Sequence, residues 1–157
     1  VIEIPGHTLD HIAFYLPSCG ALEQGAVFCG DTLFAAGCGR IFEGEAAMMH
    51  ASLAKLEALP GSTLVYCAHE YTLANLNFAL AAEPKNADLH ARLEATEVMR
   101  AANRPSLPSK IALEQRTNPF LRCHNKDLVE MVATHSGKQA RNEIDTFAQL
   151  RAWKDNF

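Results

Sequence analysis

Three apolar runs in this chain each end in a tight turn carrying a side chain able to bind a metal ion, and this recurrence constrains the fold more than any other feature. The turns are Pro5-Gly6-His7-Thr8 after Ile2 and Ile4, Cys29-Gly30-Asp31-Thr32 after Ala26-Val27-Phe28, and Ala68-His69-Glu70-Tyr71 after Thr63-Leu64-Val65-Tyr66-Cys67. Short apolar runs closed by Gly or Pro read as strands, and strand ends are where a rigid sheet can aim donors at one point. A further run, His11 to Leu16, reads as a strand ended by Pro17, and the stretch 18–25 with Gly20 and Gly25 reads as a turn. Met49, Leu53 and Leu56 follow the i, i+4, i+7 rule and predict a helix stopped by Pro60-Gly61. Strand, helix, strand in that order favours an α/β layer packing.

From about Tyr71 the pattern changes. Leu73, Leu76 and Leu80 predict a helix ending before Pro84, and Asn86 is suited to cap a longer helix running to Asn103. No strand signal of any strength returns. Pro105, Pro108 and Pro119 predict an extended crossing segment, followed by a short helix near 126–134 and a last one near 143–154.

Composition sets the remaining bounds. With 48% hydrophobic and 20% charged residues in 157, the chain is an ordinary globular one, and no apolar run approaches the length of a membrane span. The expectation is a soluble protein. Position 1 is Val, with no signal pattern before Ile2 and Ile4, so the chain reads as cut from something longer. Cys19, Cys29, Cys38, Cys67 and Cys123 are odd in number and form no C-x-x-C pair, which points to free buried thiols in a reducing cytoplasm. The net charge of −4 is unevenly spread: residues 1–82 hold two bases against eight acids, and residues 83–157 hold twelve against ten. The acidic part carries the candidate ligands, and the mildly basic part suits a small anionic substrate while being far too weak for nucleic acid.

Taken singly, the candidates are ambiguous. His7 could be a ligand or a hydrogen-bonded loop histidine, Asp31 a ligand or a turn cap, and His69 shares that ambiguity. Three analogous strand-end positions in one α/β unit favour the functional reading. His11, at the start of a strand, reads as a supporting or structural residue. The glycines of Phe34-Ala35-Ala36-Gly37-Cys38-Gly39-Arg40 allow close backbone approach to a ligand, although such loops more often only turn the chain. Phe147, Arg151 and Lys154 share one helix face and Leu150, Trp153 and Phe157 another; the basic pair reads first as a solvated edge, with a grip on a substrate carboxylate as the alternative. His50, His90, His124 and His135 read as surface residues.

The segments Gly6-His7-Thr8, Gly30-Asp31-Thr32-Leu33-Phe34, Ala36-Gly37-Cys38-Gly39-Arg40, Ala68-His69-Glu70-Tyr71-Thr72 with Asn75, and Asn118-Pro119-Phe120-Leu121-Arg122 together closely resemble glyoxalase II, the hydroxyacylglutathione hydrolases. The resemblance runs from residue 1 to Arg151-Ala152-Trp153-Lys154-Asp155. It implies an α/β fold in which residues 1–70 are the C-terminal half of a metallo-β-lactamase αββα sandwich, its N-terminal half absent, and residues 71–157 an α-helical glutathione-binding domain. It implies that His7 binds one metal, His69 the other, and that Asp31 bridges both. Arg40, Phe42, Tyr71, Arg151 and Lys154 match positions at the glutathione moiety, which turns Arg151 and Lys154 from a solvated edge into partners for the tripeptide's carboxylates. Some members carry Tyr where this chain has Phe42, so a hydroxyl contact is absent there.

The resemblance further implies hydrolysis of S-D-lactoylglutathione to D-lactate and glutathione by two divalent ions, zinc first with iron or manganese as alternatives, which deprotonate a water that attacks the thioester. The family's Thr-His-x-His-x-Asp-His segment, the source of four of its seven ligands, is not in these residues. The chain by itself is therefore expected to bind metal weakly or not at all, to be inactive alone, to expose apolar sheet surface, and to self-associate or pair with the missing N-terminal segment. Two rivals are a persulfide dioxygenase with a mononuclear iron, which would need neither His69 nor the Arg151/Lys154 helix, and a non-catalytic module that binds glutathione conjugates or a protein.

Overall fold

The computed structural model describes residues 1–20 and 23–157. The element order is β1 (Ile2–Glu3), β2 (Ile12–Leu16), β3 (Ala26–Gly30), β4 (Leu33–Phe34), β5 (Gly37–Cys38), α1 (Ala46–Glu57), β6 (Leu64–Cys67), α2 (Thr72–Ala82), α3 (Ala87–Ala101), β7 (Ser109–Lys110), α4 (Ile111–Thr117), a 3-10 turn at Pro119–Leu121, α5 (Lys126–Ser136) and α6 (Glu143–Asp155). Five strands form one sheet in the order β1-β2-β3-β6-β7, and β4 with β5 forms a separate hairpin. The pairings β1/β2, β2/β3 and β6/β7 are antiparallel, while β3/β6 is parallel. That parallel pair is the α/β unit expected from the sequence: a chain that leaves β3 must cross the sheet before re-entering beside it, and α1 lies in that crossover.

Alternation along the strands decides which sheet face is covered. Ala13, Val27, Cys29 and Val65 point to the buried side, where α1 lays Met49, Leu53 and Leu56 against them, each such side chain contributing about 1.5–3 kcal/mol by leaving water. The same core continues through Phe78, Ile111, Phe120, Phe147 and Leu150 of the helical segments. On the opposite face Ile12, Phe14, Leu16, Phe28 and Tyr66 stand exposed. Phe14 pairs across from Phe28, which pairs across from Tyr66, and the last two rings stack 5.0 Å apart. The apolar sheet surface expected from the sequence is present.

Several local expectations are corrected. The turn expected at 18–25 includes Ala21 and Leu22, which lie outside the described residues. The segment Phe34–Arg40 is not only a glycine loop, because β4 and β5 pair within it. A strand does return after Tyr71: β7 is only two residues long and pairs with β6, so its extended shape comes from the neighbouring edge and not from any apolar alternation of its own. The Pro105–Pro119 stretch contains α4, whose buried face is Ile111, Glu114 and Thr117 and therefore has no apolar period to detect. Asn86 caps α3 as expected, accepting from the N–H groups of Asp88 and Leu89, and Asn125 and Asn142 do the same for α5 and α6. Cys19 is exposed and Cys67 half-buried, so only Cys29, Cys38 and Cys123 are the buried thiols expected of all five. His50 is half-buried, edge-on to the Phe147 ring, because α1 packs against α6 there. No helix among the described residues is long and apolar enough to cross a membrane.

Candidate active site

The strand ends of β3 and β6 lie side by side, and the register between them slips at Phe28/Gly30. Gly30 sits at φ +53°, where a side chain is strained, and a Cβ there would meet His11 Nε2 at 2.5 Å. This irregularity turns the chain so that Asp31 leaves the sheet toward the end of β6. His69 lies there, its Nε2 3.4 Å from Asp31 Oδ1.

His7 reaches the same place from the other side of β2. Its Nδ1 is 2.8 Å from the carbonyl oxygen of Arg40, an atom that only accepts, so Nδ1 is the donor and, in the neutral ring, the lone pair lies on Nε2. Such a hydrogen bond from one ring nitrogen is the usual support of a metal-binding imidazole. His11 is arranged the other way. The Asp31 N–H donates to His11 Nε2 at 3.1 Å, which occupies the lone pair a metal would need and makes this ring a prop for the Asp31 backbone. Its role agrees with the supporting one expected from the sequence.

All eight candidate residues face one cavity of about 520 Å³: His7, Asp31 and His69 with Arg40, Phe42, Tyr71, Arg151 and Lys154. Tyr71 stacks on the His69 ring at 5.1 Å, and Phe34 closes edge-on against Tyr71 at 5.3 Å. Phe42 lies 5.0 Å from the His7 ring with most of its surface exposed. Arg151 is no solvated edge: it is 6% exposed, and Nη1 donates to the Cys38 carbonyl at 2.9 Å while Nη2 pairs with Asp155 at 3.0 Å. Its Nε is buried and has no hydrogen-bond partner among the described residues. Arg40 Nε lies 3.6 Å from the same Asp155 carboxylate. Lys154 packs its ammonium 4.9 Å over the Phe78 ring, and burial, reinforced by the charge of Arg151, pushes its pKa down to about 8.

Residues without an assigned role in the sequence also shape this cavity. Asn75 lines it, and its Nδ2 donates to the Ala35 carbonyl at 3.0 Å. Asn118 Nδ2 donates to the carbonyls of Phe34 and Gly37. Both were visible only as parts of motifs. Glu70, next to His69, accepts from the N–H and hydroxyl of Ser106, which hold its carboxyl below the usual range and tie the loop after β6 to the helical segment. The thiols of Cys29 and Cys67 donate to the carbonyls of Leu33 and His69; burial pushes both up, Cys29 to about 12, so they serve as neutral donors.

Two imidazoles and a carboxylate are donors that zinc, manganese and iron all accept. Among the described residues, however, no group of three or more His, Cys, Asp or Glu side chains is gathered closely enough to hold a metal ion. The donors suit a cation chemically, but these residues alone do not complete its coordination.

A family model described as the hydroxyacylglutathione hydrolase C-terminus matches residues 70–157. The chain belongs to the hydroxyacylglutathione hydrolase family. A hydroxyacylglutathione hydrolase of Pseudomonas aeruginosa strain LESB58 is 55% identical over 157 residues, covering all of this chain and 59% of that protein. One of Nitrosomonas eutropha is 52% identical over 158 residues, again covering 59% of the relative. The chain thus spans less than two thirds of the curated relatives it matches. Among solved structures, a metallo-β-lactamase from Staphylococcus aureus (TM-score 0.50, 22% identity, 97% of this chain and 37% of that one) has a similar fold. So does ETHE1 from Myxococcus xanthus (TM-score 0.50, 24% identity, 98% and 51%). These likenesses show an α/β metallo-β-lactamase half-sandwich followed by helices, the fold class expected for a hydroxyacylglutathione hydrolase.

Proposed function

We propose that the intact protein hydrolyses a glutathione thioester, S-D-lactoylglutathione, to D-lactate and glutathione, and that this chain supplies the glutathione end of the site and part of its metal centre. The observation that carries the proposal is the single cavity in which His7, Asp31 and His69 meet Arg40, Tyr71 and Lys154, in a chain of the hydroxyacylglutathione hydrolase family. His7 and His69 would each hold an ion through a ring nitrogen and Asp31 would lie between them, the ions being zinc first, with iron or manganese as alternatives. A divalent ion so held lowers the pKa of a bound water toward neutrality and polarises the thioester carbonyl.

The chain's own residues do the rest. Lys154 and Arg40 present cations to the carboxylates of the tripeptide, while Arg151, committed to Cys38 and Asp155, holds the cavity wall. Tyr71 and Phe34 form an aromatic wall beside His69, and Phe42 covers His7 without a hydroxyl. We assign residues 1–70 to the metal-bearing half-sandwich and 71–157 to the glutathione-binding helices. The exposed face of Phe14, Phe28 and Tyr66 fits a further β-layer from the same protein, and the free thiols fit a reducing cytoplasm.

With three donors for two ions, each ion keeps at most two protein ligands, fewer than a hydrolytic centre needs, so the 157-residue chain alone should bind metal weakly and turn over little. Measuring lactoylglutathione hydrolysis and metal stoichiometry on this chain beside the intact protein tests both statements. An intact protein without thioesterase activity overturns the first, and a chain that alone binds metal tightly with normal turnover overturns the second.

A further inference from the structure

The loop that lines the candidate site is held from behind by one carboxylate buried far from it in sequence. Glu114, on α4, is 0% exposed. Its Oε2 accepts the N–H of Ala36 at 2.8 Å and the Asn118 amide at 3.1 Å; its Oε1 accepts Arg92 Nη2 at 2.6 Å and the Ser109 hydroxyl. Ala36 sits at the tip of the β4–β5 hairpin with φ +57°, a backbone region in which alanine is strained and glycine is not. A β-hairpin with two-residue strands cannot hold such a turn by its own ladder. The main chain on either side is taken up as well, Ala35 by Asn75 and both Phe34 and Gly37 by Asn118.

The consequence appears at the far end of the same loop. Gly39 N–H donates to the Thr32 carbonyl at 3.1 Å, next to Asp31, and the Arg40 carbonyl accepts a hydrogen bond from His7 Nδ1. Ala36, Gly39 and Arg40 thus lie within five residues of one loop, anchored at one end by Glu114 and meeting His7 at the other.

We propose that Glu114 is a positioning residue for the metal-binding face of His7, acting through the left-handed turn at Ala36. The inference deepens the function proposed above and rests on His7 being a ligand. All four groups around the carboxylate are donors, two to each oxygen, so a glutamine amide there would place its own NH₂ against two of them.

The test is made on the intact protein freed of metal, by amide hydrogen exchange and by the NMR signal of the His7 Nδ1 proton. In the unmodified protein the Ala36 amide should exchange as slowly as core amides. Glu114→Gln should speed exchange at Ala36 and Gly39 by about tenfold and broaden or shift the His7 signal, and in the metal-loaded enzyme kcat/KM should fall about 10–100-fold, the range for partners that orient a ligand. Leu128→Ala, a core truncation on α5, controls for general destabilisation and should leave those amides unchanged. Adding Ala36→Gly to Glu114→Gln should recover part of both losses, because glycine takes the turn without help. The proposal is overturned by fast Ala36 exchange in the unmodified protein, by equal effects of Leu128→Ala on these amides, or by no recovery with glycine. An intact protein that lacks thioesterase activity but shows the Ala36 and His7 coupling would overturn the proposed function and leave the positioning role standing.

Discussion

His69 Nε2 and Asp31 Oδ1 lie 3.4 Å apart at the ends of β6 and β3, neighbours that run parallel in the sheet. Each sits in a loop with side-chain surface open to the cavity, so replacing either removes a donor without emptying the core. His69→Ala and Asp31→Ala in the intact protein should each change stability by less than about 1 kcal/mol yet cut the proposed thioester hydrolysis by about a thousandfold and lower bound metal. Metal analysis and kcat/KM check this, and retention of both metal and turnover in either variant would refute the ligand assignment.

Gly30→Ala should be costly for two separate reasons. The backbone is left-handed there, and the added methyl group meets the ring that supports Asp31. A loss of about 1–3 kcal/mol is expected, which in a domain of this size lowers the melting temperature by several degrees. Calorimetry on the chain decides; an unchanged melting temperature would mean that the turn relaxes freely.

Lys154 gives a pH dependence with a definite sign. Its folded pKa of about 8 lies below the ordinary 10.5, because burial disfavours the ammonium form. Between these values the unfolded chain binds the extra proton, so this group makes stability rise with pH across roughly pH 8 to 10.5. The effect on binding is opposite. If Lys154 faces a substrate carboxylate as proposed, the intact protein loses that cation as pH passes 8 and KM should rise; Lys154→Met should start with a raised KM and show no such step. A KM that stays flat through pH 9 in the unmodified enzyme would remove Lys154 from substrate binding.

The exposed row Phe14, Phe28 and Tyr66 should make the 157-residue chain associate. Side chains on this face touch no core, so Phe14→Glu with Phe28→Lys should reduce association while preserving the helical circular dichroism. Sedimentation velocity across a concentration series measures it. A chain that is monomeric at all concentrations, with or without the substitutions, would show that the apolar face is no association surface.

The thiols should separate by reactivity. Burial raises the pKa of Cys29 to about 12 and raises Cys38 and Cys123 as well, whereas Cys19 is exposed. Alkylation followed by mass spectrometry should label Cys19 first and the three buried thiols only on unfolding. Early labelling of Cys29 would contradict the packing beneath Asp31.

Much of the fold was legible in the order of residues because its signals are local. Val27 and Val65 lie in short apolar runs, Met49, Leu53 and Leu56 recur at helical spacing, and Asn86 stands where a cap is needed; each pattern acts within a turn or two of chain. The candidate donors could be picked out for the same reason, since His7, Asp31 and His69 follow strand ends directly. That they face one cavity with Arg40 and Lys154 was expected only through the resemblance of their motifs, because spacing along a chain carries no distance between loops.

Tertiary structure alone decided the rest. The short strand β7 exists because β6 offers it an edge, and α4 buries Glu114 and Thr117 where an apolar stripe would be sought. Arg151 is buried in the cavity wall because the Cys38 carbonyl arrives beside it from β5, 113 positions away, while Asp155 stands one turn along its own helix. A polar group can be buried only where its partners converge, and for Glu114 those partners are its near neighbours Ser109 and Asn118 together with Arg92 on α3 and Ala36, 78 positions away. Apolar periodicity is a property of one segment; hydrogen-bond satisfaction is a property of the fold.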